Sequence, residues 1–261
     1  MSRLKIPYKY LIYRIKAVDE HGVHSPFVFD LLNAVVYNKA DFYSYSAIEG
    51  LRNELLGSEK KVHCIEMGAG SYKGQTKVRR VSDIARSSVK PAKYSQLLFR
   101  LVNYFQPANV LELGTSLGIS TAYMAMANTS ASVTTMEGCP ELATIAKQNF
   151  SKEGIKNINI ITGNFDDKLP EFLSRNPSLD FVFFDGNHRK QPTLDYFHQC
   201  LKNSHAQSVF IFDDINWSDE MQEAWSEIKA HEKVTVTIDL FFMGLVFFRK
   251  EQVKQHFLIK F

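Results

Sequence analysis

Val110-Leu-Glu-Leu-Gly-Thr-Ser-Leu-Gly-Ile-Ser-Thr121 reads as a short apolar strand, a tight turn and the opening of a helix. Val110 to Leu113 supply the strand. Gly114 lets the backbone turn sharply and lets a ligand come close. Gly118 allows the following helix to pack tightly, and Ser120 and Thr121 place small polar groups in its first turn. Glu112, Gly114 and Gly118 spell E-x-G-x-x-x-G, with Ser116 where a dinucleotide turn carries its middle glycine. Open α/β sheets bind nucleotides at such a turn, after the first parallel strand. An ordinary strand-to-helix turn has the same look in isolation, so the decision rests on the chain downstream.

That chain alternates. Residues 121–128 read as helix, 132–136 as a strand ending at Glu137, and 140–153 as helix with Pro140 suited to its first turn. Residues 158–162 form a strand ending at Gly163, and 169–173 belong to a short helix. Residues 181–184 are a buried strand ending at Asp185, 192–201 a helix, 208–212 a strand ending at Asp213-Asp214, and 219–230 a helix. Strands alternating with helices mean parallel βαβ units. Two closing strands, 234–239 and 245–249, have a short connection and imply an antiparallel edge. The expected fold is therefore a doubly wound, mostly parallel, seven-stranded Rossmann-like sheet with an antiparallel edge strand, plus an N-terminal helical and loop extension.

A rival turn lies upstream, because Glu66, Gly68 and Gly70 give E-x-G-x-G. It is followed by Lys73, Lys77, Arg79 and Arg80 rather than an apolar helix, and no strand ending in an acid follows. Residues 62–90 therefore read as a basic, glycine-containing flap able to hold an anion or simply to face solvent. Ser87-Ser88 are placed to cap a helix over 91–105. Residues 27–36 read as a short helix, and the preceding His21 and His24 have no nearby acidic or thiol partner to complete a metal site. Residues 3–17 mix Arg3, Lys5, Lys9, Arg14 and Lys16 with apolar residues at partly helical spacing. Such a helix either lies on a membrane surface or packs on the main domain, and packing is the preferred reading.

Bulk properties narrow the class. The chain has 261 residues, 45% of them hydrophobic, and a net charge of +3, too small to imply nucleic-acid binding. Three widely spaced cysteines argue against a disulfide framework and fit a reducing compartment. No signal peptide or membrane-spanning run is visible. A cytoplasmic protein is expected.

Chemistry collects at the carboxyl ends of the strands. Glu137 is placed to accept hydrogen bonds from ribose hydroxyls. Gly163, Phe165 and Asp166 are placed to meet an adenine, Phe165 by stacking and Asp166 by accepting from an amino group. Asp185, Asp213 and Asp214 would repel one another unless a cation neutralises them, and oxygen ligands select a hard ion, Mg²⁺ first. The plainer reading is that one or two of them cap helices. His188 follows in Asp185-Gly-Asn-His188, and its ordinary pKa near ~6.5 suits a general base.

This order of motifs resembles the class I S-adenosylmethionine-dependent methyltransferases, and more narrowly the metal-dependent O-methyltransferases of the catechol and caffeoyl-CoA type. The resemblance covers residues 88–249. It implies that Glu112, Gly114, Ser116, Gly118 and Ser120 cradle the methionine end of S-adenosylmethionine, with Ser120 hydrogen-bonding its carboxylate. It implies that Glu137 takes the ribose and that Asp185, Asp213 and Asp214 ligate Mg²⁺. Two departures stand out: His188 replaces the family's lysine base, and Asp214 replaces an asparagine. The implied domains are a 1–87 extension, serving as lid or substrate-side segment, and an 88–261 S-adenosylmethionine-binding methyltransferase domain. The implied partner is a small hydroxylated acceptor, anionic acceptors included; a homodimer is compatible with the chain, whereas nucleic-acid or membrane contact is not expected. The alternatives are a metal-independent methyltransferase, an aminopropyltransferase on the same fold, and a non-catalytic cofactor-binding regulatory protein.

Overall fold

The computed structural model describes residues 5–65, 76–175 and 178–261. It begins with α1 (Lys5–Lys16), a 3-10 turn (Glu20–Gly22), and α2 (Pro26–Leu31) running into a π-helical turn (Leu32–Val36). Next come α3 (Tyr43–Leu56), β1 (Lys61–Ile65), β2 (Thr76–Arg80), α4 (Val81–Ser88) and α5 (Ala92–Phe105). The alternating region is β3 (Asn109–Leu113), α6 (Ile119–Ala127), β4 (Ser132–Glu137), α7 (Pro140–Lys152), β5 (Ile158–Thr162), α8 (Phe165–Leu173), β6 (Leu179–Phe184), α9 (Lys190–Leu201), β7 (Ser204–Asp213) and α10 (Asp219–Ala230). Three strands close the chain: β8 (Val236–Asp239), β9 (Met243–Phe247) and β10 (Gln255–Leu258).

Eight strands make a largely parallel sheet, and β1 and β2 form a separate antiparallel pair. The chain divides into two compact units, Lys39–Arg175 and the discontinuous Met1–Asn38 with Asn176–Phe261. Residues 1–87 are thus shared between the two units.

In the continuous unit, β3 pairs with β4 and β4 with β5, all parallel. β3 and β4 are largely buried, as strands covered on both faces are, whereas β5 lies at the sheet edge and is only partly buried. The helix α6 follows from the turn at Gly118, whose φ is +84°. A Cβ there would stand 2.5 Å from Phe150 Cε1 on α7, so this position needs glycine for packing as well as for its backbone. The surrounding core joins Tyr45, Phe99, Leu117, Tyr123, Ile145 and Phe150.

In the discontinuous unit, β6 and β7 are parallel, β9 runs antiparallel to both β7 and β8, and β10 adds parallel to β8. The sheet therefore has eight strands rather than the expected seven, and its antiparallel strand is interior rather than at the edge. The missed strand, β10, is only four residues long and follows the charged stretch Arg249–Lys254. Gly244 on β9 faces Trp225, and a Cβ would sit 2.6 Å from the indole ring.

Two further expectations change. Over 62–90, the described part is strand and helix rather than a flap: Lys77 and Arg79 pair with Cys64 and Val62 in a hairpin, and α4 follows directly. Glu66, Gly68, Gly70 and Lys73 lie outside the described residues. Ser87 and Ser88 end α4 instead of capping α5, whose N-cap is Pro91. The Ser87 hydroxyl donates back to the Asp83 carbonyl, 2.8 Å away, as serines inside helices do. Upstream, Ser25 caps α2 by accepting from the Val28 amide, with Pro26 in the first turn. The His24-Ser-Pro wording is thereby a helix start.

Candidate active site

The turn after β3 is built on two carboxylates of different surroundings. Glu112, on the strand, is fully buried. Its oxygens accept from the Ser120 hydroxyl at 2.6 Å, the Thr135 hydroxyl at 2.6 Å, and the Thr121 hydroxyl. Burial pushes its carboxyl up to about 7, against the pull of those three hydroxyls. Glu112 thus ties the first turn of α6 to β3 and β4. The Ser120 hydroxyl proton is committed to Glu112, so toward a ligand carboxylate this residue has its backbone N–H to offer. The amides of a helix's first turn have no intrahelical acceptor, which suits an anionic group.

Glu137, at the end of β4, reaches across to the same turn. Its Oε2 accepts from the Ser116 amide at 2.7 Å and its Oε1 from the Cys139 amide at 2.8 Å. Burial raises its carboxyl above the ordinary value, while the amides of Cys139, Ser116 and Gly138 pull it back. Each oxygen keeps a lone pair for a further donor. Gly114, with φ +112°, and Ser116, with φ +49°, shape the turn. The amides of Gly114 and Thr115 donate to the Met136 carbonyl. The Ser116 hydroxyl is buried and has no hydrogen-bond partner among the described residues. A buried hydroxyl left unmatched is costly, and a bound polar ligand would satisfy it. The turn therefore offers an unmatched hydroxyl beside a carboxylate to a polar ligand.

Gly163, with φ +144°, ends β5 and donates its amide to the Glu137 carbonyl. Phe165 is half-buried and Asp166 exposed, and both lie in the first turn of α8. Asn164 caps that helix by accepting from the Asp166 amide.

In the other unit, Asp185 follows β6 and Asp213 ends β7. Asp185, His188 and Asp213 each offer a ligand atom, and these atoms lie within 4.8 Å of one another. Asp213 is buried, whereas Asp185 and His188 are partly exposed. His188 Nε2 stands 3.6 Å from Asp185 Oδ1 and 3.9 Å from Asp214 Oδ2. Asp214 has φ +53°, an uncommon conformation for a non-glycine residue. The expected three aspartates are thus accompanied by His188, which belongs to the 4.8 Å group while Asp214 does not. Two carboxylates converging at strand ends fit a divalent cation. An added imidazole admits Mn²⁺ and other transition ions beside Mg²⁺. His21 and His24 are in no such group among the described residues.

Residues 111–215, which contain Glu112, Ser116, Glu137, Asp185, His188, Asp213 and Asp214, match a family described as a methyltransferase domain. That segment is similar to methyltransferase domains. Over 133 residues this chain is 33% identical to a catechol O-methyltransferase of Niastella koreensis, covering 49% of this chain and 58% of the relative. A catechol O-methyltransferase of Mycobacterium tuberculosis is 29% identical over 126 residues, covering 48% and 56%. The chain thus spans a little over half the length of these curated relatives. The crystal structure of the O-methyltransferase TomG from Streptomyces achromogenes, solved with S-adenosylmethionine, has the same fold. It superposes with a TM-score of 0.58 at 18% identity, covering 85% of this chain and 95% of that one. Among the described residues no helix is long and apolar enough to cross a membrane.

Proposed function

We propose that this protein is an S-adenosylmethionine-dependent O-methyltransferase that acts on a hydroxyl of a small molecule with the help of a divalent cation. The observation that carries the reading is the coexistence, within one methyltransferase segment, of an unsatisfied buried Ser116 hydroxyl beside Glu137 and of the Asp185–His188–Asp213 group. Glu137 accepts from the ribose hydroxyls. Ser116 and the first turn of α6 hold the methionine end, and Phe165 and Asp166 meet the adenine. Asp185 and Asp213, with Asp214 beside them, hold the cation. The cation supplies a lowered hydroxyl pKa and a fixed orientation for the acceptor. His188, whose Nε2 stands 3.6 Å from Asp185 Oδ1, accepts the acceptor's proton. The sulfonium is already a good leaving group, so holding the nucleophile in line contributes most of the remaining rate, up to about 7–11 kcal/mol in favourable cases.

The test is methyl transfer to a panel of catechols and related phenols, with and without chelator. Activity lost with chelator and restored by Mg²⁺ or Mn²⁺ supports the reading. Activity indifferent to chelator leaves a metal-independent methyltransferase. S-adenosylhomocysteine binding without turnover on any hydroxylated acceptor leaves a regulatory protein.

A further inference from the structure

The helix α1 has two apolar faces. One is used: Tyr13 and Ala17 are buried against Phe241, with Ile6, Phe242 and Leu258 around them, and Tyr10 stacks edge-on to Phe241 at 5.0 Å. The Tyr13 hydroxyl donates to the Ile259 carbonyl, which fixes the rotation of the helix. The opposite face is open. Tyr8 is 66% exposed, Leu11 58% and Ile15 75%. At about 100° per residue these three share one stripe, with Arg14 on one flank and Lys9 and Lys16 on the other. Lys9 is held by Asp219 and Gln222 on α10. Arg14 and Lys16 have no ion-pair partner among the described residues, and residues 3–17 carry five cations and no acid.

Single exposed apolar residues are ordinary, but a stripe of three flanked on both sides by cations is not scattered surface. It is the arrangement of a helix lying in a lipid interface, where apolar side chains enter the headgroup boundary and flanking Lys and Arg reach the anionic groups. We propose that the outer face of α1 docks this protein on an anionic membrane surface. Charge argues against a second copy as occupant, because two such helices would bring their cations together with no acid on either to pair them. Packing and membrane contact, competing readings of the sequence, are divided here between opposite faces of one helix.

The test is flotation of the full chain with phosphatidylcholine vesicles, with and without one third phosphatidylserine. The expected result is flotation with the anionic vesicles only, weakened by salt. The Leu11→Glu/Ile15→Glu variant should lose at least tenfold in bound fraction, with an unchanged far-ultraviolet spectrum and urea midpoint. Arg14→Gln/Lys16→Gln should lose the preference for phosphatidylserine. The proposal is overturned if the wild-type chain stays unbound with anionic vesicles, or if the Leu11→Glu/Ile15→Glu variant floats equally well. It is also overturned if the chain instead forms a dimer that this variant breaks, or binds an acidic peptide and not vesicles.

Discussion

The Glu137 carboxylate accepts from the Ser116 amide at 2.7 Å, so the acid at the end of β4 also holds the turn after β3. One side chain thereby serves a ligand and the loop that embraces it. Glu137→Ala should weaken S-adenosylhomocysteine binding about 30-fold or more, since charge-assisted hydrogen bonds are involved and the Ser116 amide loses its acceptor. Glu137→Gln should lose less. Titration calorimetry measures both. Because burial raises this carboxyl, wild-type binding should fall as pH drops through the raised value, and the Gln variant should not show that fall.

Gly118→Ala places a methyl group 2.5 Å from the Phe150 ring at a φ of +84°. The expected loss of stability is about 2–4 kcal/mol, read as a lower urea midpoint. Adding Phe150→Leu should recover only part of it, because relieving the clash leaves the backbone conformation unfavourable.

Glu112 makes the stability of the fold depend on pH. Its folded value, about 7, lies above the ordinary 4.5. Between those values the native state keeps a proton that the unfolded chain has released. The stabilisation is full below about 4.5 and is lost as pH rises through about 7, by about 3 kcal/mol in all. Urea unfolding of wild type and Glu112→Gln across pH 5–8 isolates this slope, which the variant should lack.

The cation group gives a readout independent of turnover. Adding Mg²⁺ or Mn²⁺ should raise the thermal midpoint of the wild type, by an amount equivalent to about 2.7 kcal/mol at a hundredfold excess over Kd. Asp213→Asn should abolish that rise. His188→Ala should keep the rise yet lower the methyl-transfer rate about 100-fold or more. If His188→Ala instead removes the rise, His188 is a ligand rather than the base.

Much of the alternating region was legible in the sequence because β3, β4, β6 and β7 are buried strands rich in apolar residues, and the residues at the strand ends stand out as Glu137, Gly163, Asp185 and Asp213. Other features were hidden for physical reasons. In β2, the charged Lys77 and Arg79 flank an exposed Val78, so no apolar run marks the strand. β10 is too short to show a period. Ser120 was legible as a ligand group, but its hydrogen bond to the buried Glu112 carboxyl is recognisable only once β3 and α6 are folded together. The Ser25-Pro26 start of α2 was present as a capping signal and was outweighed by the two histidines around it. At α1 the residues were all visible; which face met the sheet depended on Phe241 and Phe242, more than two hundred positions away.

The Tyr13 hydroxyl donates to the Ile259 carbonyl and accepts from the Phe261 amide, and Val18 exchanges backbone bonds with Leu258 and Lys260. These links set an order of synthesis and assembly. The Lys39–Arg175 unit is continuous and can gather its core while the chain is still being made. The helix α1 is made before residues 258–261 and cannot receive these anchors until they follow. Closing so long a loop delays its docking, so the α1 face against Phe241 stays open to solvent, chaperones or aggregation throughout translation. Removing the backbone of residues 258–261 would release α1 from these anchors.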